Sequence, residues 1–83
     1  MNITVLQTFL TILDAGSLIR ASAQLNVTQS TVTARLQSLE RELGQTLIKR
    51  DKSGVSPTAA GLRLRRYAET MTGLWQQARQ ETA

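Results

Sequence analysis

Three residues, Gly16, Asn26 and Gly44, interrupt the first half of the chain, and between them the apolar residues recur at helical rather than strand spacing. That punctuation confines this half to short helices. Leu6, Phe9, Leu10 and Leu13 form one stripe, so a first helix is predicted over about residues 3 to 15, with Asn2 or Thr4 as N-cap and Gly16 just past its end. Ser17 caps a shorter second helix that turns Leu18, Ala21, Ser22 and Leu25 inward, and Asn26 suits the left-handed conformation that ends it. Thr28 opens a third helix in which Val32, Leu36, Leu39 and Leu43, spaced by four, three and four, predict a single buried seam closed by Gly44.

Beyond Gly44 the period changes. Thr46-Leu47-Ile48 and Val55-Ser56 are β-prone and flank the turn-rich Asp51-Lys52-Ser53-Gly54, which predicts a small hairpin. Pro57 closes its second arm. Thr58 caps a last helix running from about Ala59 to near the C-terminus, about 35 Å at 1.5 Å per residue.

Composition removes whole classes of chemistry. The 83 residues contain no cysteine and no histidine, so disulfides, thiolates and Ser-His or Cys-His catalysis are excluded. A transition-metal site would have to rest on six scattered carboxylates. Glu40 and Glu42 face different ways on one helix, and there is no glycine-rich phosphate loop. The reading is therefore not an enzyme, with no cofactor and no metal. No targeting segment and no apolar run of about 20 residues is present, so a cytoplasmic chain with no membrane partner is expected.

Two helices joined by the short Asn26-Val27-Thr28 connection form a helix-turn-helix arrangement, in which the second helix enters the major groove of DNA by its N-terminal end. Opposite its apolar seam this helix carries Ser30, Thr31, Ala34, Gln37, Ser38 and Arg41, with Thr33 on the flank. Any solvated helix shows a polar face. However, Ser and Thr are poor choices for helix propagation in a first turn, and the charge is concentrated elsewhere in the chain. Lys49, Arg50, Lys52, Arg63, Arg65 and Arg66 face one acid, Asp51, whereas the whole chain carries only +4. Clustering of this kind is what phosphate binding requires.

Ser17-Leu18, Ala21, Leu25, Thr28-Gln29-Ser30, Thr33, Leu39-Glu40, Leu43-Gly44, Leu47-Ile48, Arg50 and Thr58-Ala59-Ala60-Gly61 together resemble the N-terminal domain of the LysR-type transcriptional regulators. The resemblance runs from about Leu6 to Gly61, and the last helix matches the family's linker helix in place and length. It implies a mainly α fold: a winged helix-turn-helix DNA-binding domain over 1–58, with three helices and a small β-hairpin wing, then a long linker and dimerisation helix over 59–83. It further implies a recognition helix at 28–43 in the major groove, with base contacts from Gln29, Ser30 and Thr33 and with Thr31 close by. The wing, 50–55, would bring Lys52 and Ser53 to the neighbouring minor groove, while Ser17, Arg20, Arg35 and Arg50 serve as backbone contacts. Glu40 is read as structural, because a carboxylate gains nothing beside phosphate. The sequence departs from the family's usual pattern at Leu18 and Ile48 (Phe), Ser30 (Pro), Pro57 (Leu), Ala34 (a long basic residue) and Ser53 (Arg).

The last helix has its own pattern. Leu64, Ala68, Met71, Trp75 and Ala78 fall at spacings of four, three, four and three, a heptad seam widened by Tyr67 and Leu74. It either folds back on the first helix or pairs with a second chain; the pairing is favoured, with Trp75 as anchor, as in the family's antiparallel linker helices. A two-fold dimer reads an inverted repeat whose half-sites lie about 34 Å apart or a multiple of that. A higher oligomer belongs to a full-length protein. The family's larger inducer-binding domain has no room in 83 residues, so a DNA-binding fragment or a short relative is expected. The competing class is a helical protein-protein interaction module whose basic patch is incidental.

Overall fold

The first helix, α1 (Ile3–Ala15), begins where Asn2 adopts extended backbone and its Oδ1 accepts the Val5 amide at 2.9 Å. It ends at Gly16, whose left-handed φ of 76° lets its amide reach the Ile12 carbonyl at 3.0 Å. This computed structural model describes all 83 residues. Leu6 and Phe9 of the expected stripe are buried, but Leu10 and Leu13 are only half-buried, and Val5, Thr8 and Ile12 take deep positions instead. The reason is that α1 is packed by three other helices, so its buried face is wider than one stripe.

Ser17 caps α2 (Leu18–Leu25) by accepting the Arg20 amide at 3.0 Å, and Asn26 closes it at φ 58°, ψ 42°. The chain then turns through Val27 into α3 (Gln29–Leu43), capped by Thr28 and ended by Gly44 at φ 66°. Val32, Leu36 and Leu39 are buried as the seam predicts. Leu43 is not: it is 48% exposed. As the last helical residue it lies where the backbone veers off at Gly44, and Leu47, 1% exposed, enters the core further along.

The hairpin pairs β1 (Ile48–Asp51) with β2 (Gly54–Pro57) antiparallel, in the register Ile48 to Pro57 and Arg50 to Val55. Its first arm starts two residues later than the β-propensity of Thr46-Leu47-Ile48 suggests. The backbone of that stretch is engaged elsewhere: Glu40 Oε2 accepts the Leu47 amide at 2.7 Å and the Ile48 amide at 3.4 Å. The Thr58 amide donates to the Leu47 carbonyl at 3.0 Å, and the Thr58 hydroxyl to the Thr46 carbonyl at 2.5 Å. Recognition-helix candidate, wing and last helix thus meet on one dipeptide.

Thr58 also caps α4 (Ala59–Glu81) by accepting the Gly61 amide. Gly61, Ala68 and Thr72 are the buried positions of this helix, and α1 is the helix it packs against. Ala68, which the heptad spacing assigns to the dimer seam, is therefore corrected: it is fully buried in the core of its own chain. The folded-back arrangement and the free apolar face coexist, because they occupy adjacent sides of the same helix. No helix is long and apolar enough to cross a membrane.

Candidate nucleic-acid interface

The first turn of α3 begins with a knot of hydroxyls. Thr28 Oγ1 accepts the Thr31 amide at 3.2 Å and lies 3.1 Å from Ser30 Oγ and 2.9 Å from Thr31 Oγ1. No acid stands in this turn, so the positive end of the helix dipole is left unneutralised. Gln29 and Ser30 are exposed, and Thr31 and Thr33 are half-buried.

Next to this turn a groove of about 180 Å³ gathers residues from separate elements: Ser17 and Ile19 at the start of α2, Gln29 at the start of α3, and Arg50 and Val55 of the wing. Local chemistry fixes each wall. Ser17 Oγ is spent as an acceptor on the Arg20 amide but keeps its O–H as a donor. The wing is docked by the Val55 amide, which donates to the Gly16 carbonyl at 3.1 Å. Gly54 is required at that contact, since its φ is +127° and a Cβ there would collide with the Gly16 carbonyl oxygen.

At the hairpin tip Lys52 and Ser53 are both exposed. Asp51 Oδ1 accepts the Ser53 hydroxyl at 2.6 Å and the Ser53 amide at 2.8 Å. These bonds, led by the hydroxyl, hold the Asp51 carboxyl below its ordinary value, so a firmly ionised acid sits beside Lys52. The Ser53 proton is consequently committed to the turn, and the free cations of the wing are Lys49, Arg50 and Lys52.

The remaining expected contacts divide. Arg20 is exposed on α2. Arg35 is half-buried, and its Nη1 donates to Thr8 Oγ1 on α1 at 3.2 Å. At 3.6 residues per turn it points about 120° around α3 from Gln29, on the opposite flank from the groove. Of the basic residues on α4, Arg65 is engaged by Asp14 at 3.4 Å and Glu69 at 3.7 Å, and Arg66 lies over the Tyr67 ring at 5.2 Å. The sequence cluster of six cations is therefore not one patch of free charge.

Along α4, Tyr67, Met71, Leu74, Trp75 and Ala78 are all exposed, and Leu64 is half-buried at the stripe's upper end. Trp75 is 46% and Tyr67 56% exposed. The sequence reading missed Ile19, which is 67% exposed in the groove. The signal was available, since the inner face of α2 is complete without it and the residue falls on the polar side of the wheel.

Comparison with known proteins agrees with this geometry. The family model for bacterial regulatory helix-turn-helix proteins of the lysR family matches residues 3–62. HdfR, an HTH-type transcriptional regulator of Escherichia coli O139:H28 strain E24377A, is 41% identical over all 83 residues, which span 30% of HdfR's length. Among solved structures, the DNA-binding domain of CbnR in complex with DNA superposes at a TM-score of 0.92 with 29% identity, covering 99% of this chain and 94% of that one. The BenM DNA-binding domain on its benA site 1 DNA gives 0.91 with 27% identity, covering 99% and 95%. A helix-turn-helix with a docked wing and a long fourth helix, matched over most of its length by that family model, belongs to the lysR family of bacterial regulatory proteins.

Proposed function

We propose that this chain binds double-stranded DNA sequence-specifically as a homodimer and so regulates transcription in the cytoplasm. One observation carries the reading: Ser17, Gln29 and Arg50, drawn from three elements, line one groove beside the dipole-positive end of α3. The CbnR and BenM domains that share this fold are complexed with DNA, which supports the same use here. In this reading α3, with Thr28 (28–43), lies in the major groove and presents Gln29, Ser30, Thr31 and Thr33 to base edges. The wing, 50–55, brings Lys52 and Ser53 to the adjoining minor groove, and Ser17, Arg20 and Arg50 hold phosphates. Residues 1–58 act as the reading unit and 59–83 as the linker.

Dimerisation follows from the free stripe of α4. Tyr67, Met71, Leu74, Trp75 and Ala78 are exposed along one face of α4 with half-buried Leu64 at its upper end, an apolar stripe of the kind that marks an interaction surface. A second copy covers it and sets two recognition helices about a two-fold axis. The site is then an inverted repeat.

Selection of bound duplexes from a random pool tests the proposal. Winners carrying inverted repeats, bound with an affinity that falls steeply with salt, are the expected result. Recovery of unrelated sequences at every salt concentration would overturn it, as would salt-independent binding, which favours an interaction module built on α4.

A further inference from the structure

Ile19 is the most exposed large apolar side chain in the molecule, at 67%. An isolated exposed isoleucine is ordinary on a protein surface; the placement of this one is not. Leu18 and Ala21 already fill the buried face of α2, so Ile19 adds nothing to the core. It is also separate from the apolar stripe of α4 that awaits a second copy. Instead it lines the groove that holds Gln29 on one wall and Arg50 on another, where Val55 continues the apolar lining. Every other side chain of that groove with a part in the DNA reading is polar, and its function there is a hydrogen bond or a charge.

The major groove of DNA displays a single apolar group, the 5-methyl of thymine. Glutamine, in turn, pairs bidentately with the N6 and N7 of adenine, whose partner is thymine. An apolar side chain beside such a glutamine faces the chemistry it is suited to. We infer that Ile19 is a specificity-determining residue that packs on a thymine methyl in the base step beside the one Gln29 contacts. The inference rests on the DNA-binding reading proposed above and adds to it a preference for A·T pairs that no hydrogen bond supplies.

The test starts from parallel selections of duplexes from a random pool with the wild-type chain and with Ile19→Ser and Ile19→Val. The expected wild-type motif contains a thymine in each half-site that Ile19→Ser no longer requires and Ile19→Val retains. Replacing that thymine by uracil, which deletes only the methyl, should weaken wild-type binding about fourfold per half-site, the effect of one buried carbon. The same replacement should leave Ile19→Ser unchanged. Because Ile19 is exposed, both variants are expected to fold, and equal thermal melting checks it. Identical motifs from all three proteins, or the same uracil penalty with and without the isoleucine, overturns the inference while leaving DNA binding standing. Failure of every protein to enrich any duplex overturns the DNA-binding reading, and this inference falls with it.

Discussion

Glu40 and Leu47 are joined by a hydrogen bond of 2.7 Å from the Leu47 amide to the Glu40 carboxylate. The bond carries the position of α3 to the start of the wing, and the acid contacts backbone where a DNA-facing role would have set it against phosphate. Glu40→Ala removes the acceptor and leaves the amide unpaired. A loss of about 1–3 kcal/mol in urea unfolding is expected, the cost of a buried donor left without its acceptor, with no change in the salt dependence of DNA binding. A changed salt slope at unaltered stability would mean that Glu40 meets the nucleic acid.

Gly61 and Gly73 lie on the same helix and should respond oppositely to alanine. A Cβ on Gly61 runs into the Leu47 carbonyl oxygen and reaches the Pro57 Cβ at 3.3 Å, whereas one on Gly73 meets nothing within 4 Å. Helix propensity favours alanine by about 1 kcal/mol at either site. At Gly61 the clash is with backbone that cannot swing aside, and overpacking of about 1–3 kcal/mol outweighs the propensity gain. Gly73→Ala is expected to raise the melting temperature and Gly61→Ala to lower it; equal shifts would contradict the close approach.

The wing turn should loosen in acid. The Ser53 hydroxyl and amide hold the folded Asp51 carboxyl below its ordinary value, so the stabilisation is present above the unfolded value, about 3.9, and is lost as pH falls through the lower folded one. In an NMR titration the Ser53 amide signal should move with an apparent pKa below that of an unstructured aspartate. In Asp51→Asn that titration should vanish. A Ser53 midpoint at the ordinary value would remove the case for these bonds.

Neutralising the wing and cutting the recognition turn should have different signatures. Lys52→Gln is expected to weaken binding to all duplexes alike and to reduce the salt slope by about one. Gln29→Ala should instead relax the preference at one base step per half-site, at about 1–3 kcal/mol for a lost bidentate contact. Matching sequence logos for wild type and Gln29→Ala would count against Gln29 as a base reader.

Trp75→Arg places a charge in the exposed apolar stripe of α4. Sedimentation should shift toward the monomer and affinity for an inverted repeat should drop, while the core, which does not include Trp75, stays intact. A variant that remained dimeric would remove Trp75 from the interface.

Local chemistry made most of the fold legible. Gly16, Asn26 and Gly44 end the helices they were expected to end, Asn26 in the left-handed conformation assigned to it, and Asn2, Ser17, Thr28 and Thr58 all cap the helices they precede. What escaped the sequence was set by tertiary contact. The strand start moved because Glu40 and Thr58, distant in sequence, claim the backbone of Thr46 and Leu47. Ala68 went inward because a residue without a long side chain is what lets α4 lie close to α1. Arg35 sits at the rim of the buried face of α3, where the side-chain direction depends on whether a neighbour offers an acceptor, and Thr8 does. Ile19 was passed over because a pattern search for cores discards the apolar residue that points out.

Thr46 and Leu47, clasped between Glu40 and Thr58, have a consequence for how an operator is measured. With the wing also fastened to Gly16, hydrogen bonds tie α3, the wing and the start of α4 to one another. In the dimer proposed above, two such heads would act as the jaws of a fixed caliper. The gap between them would belong to the protein, and a duplex whose half-sites are spaced slightly wrongly would have to bend or twist to fit. Sequences between the half-sites would then count through their stiffness, with no side chain touching them.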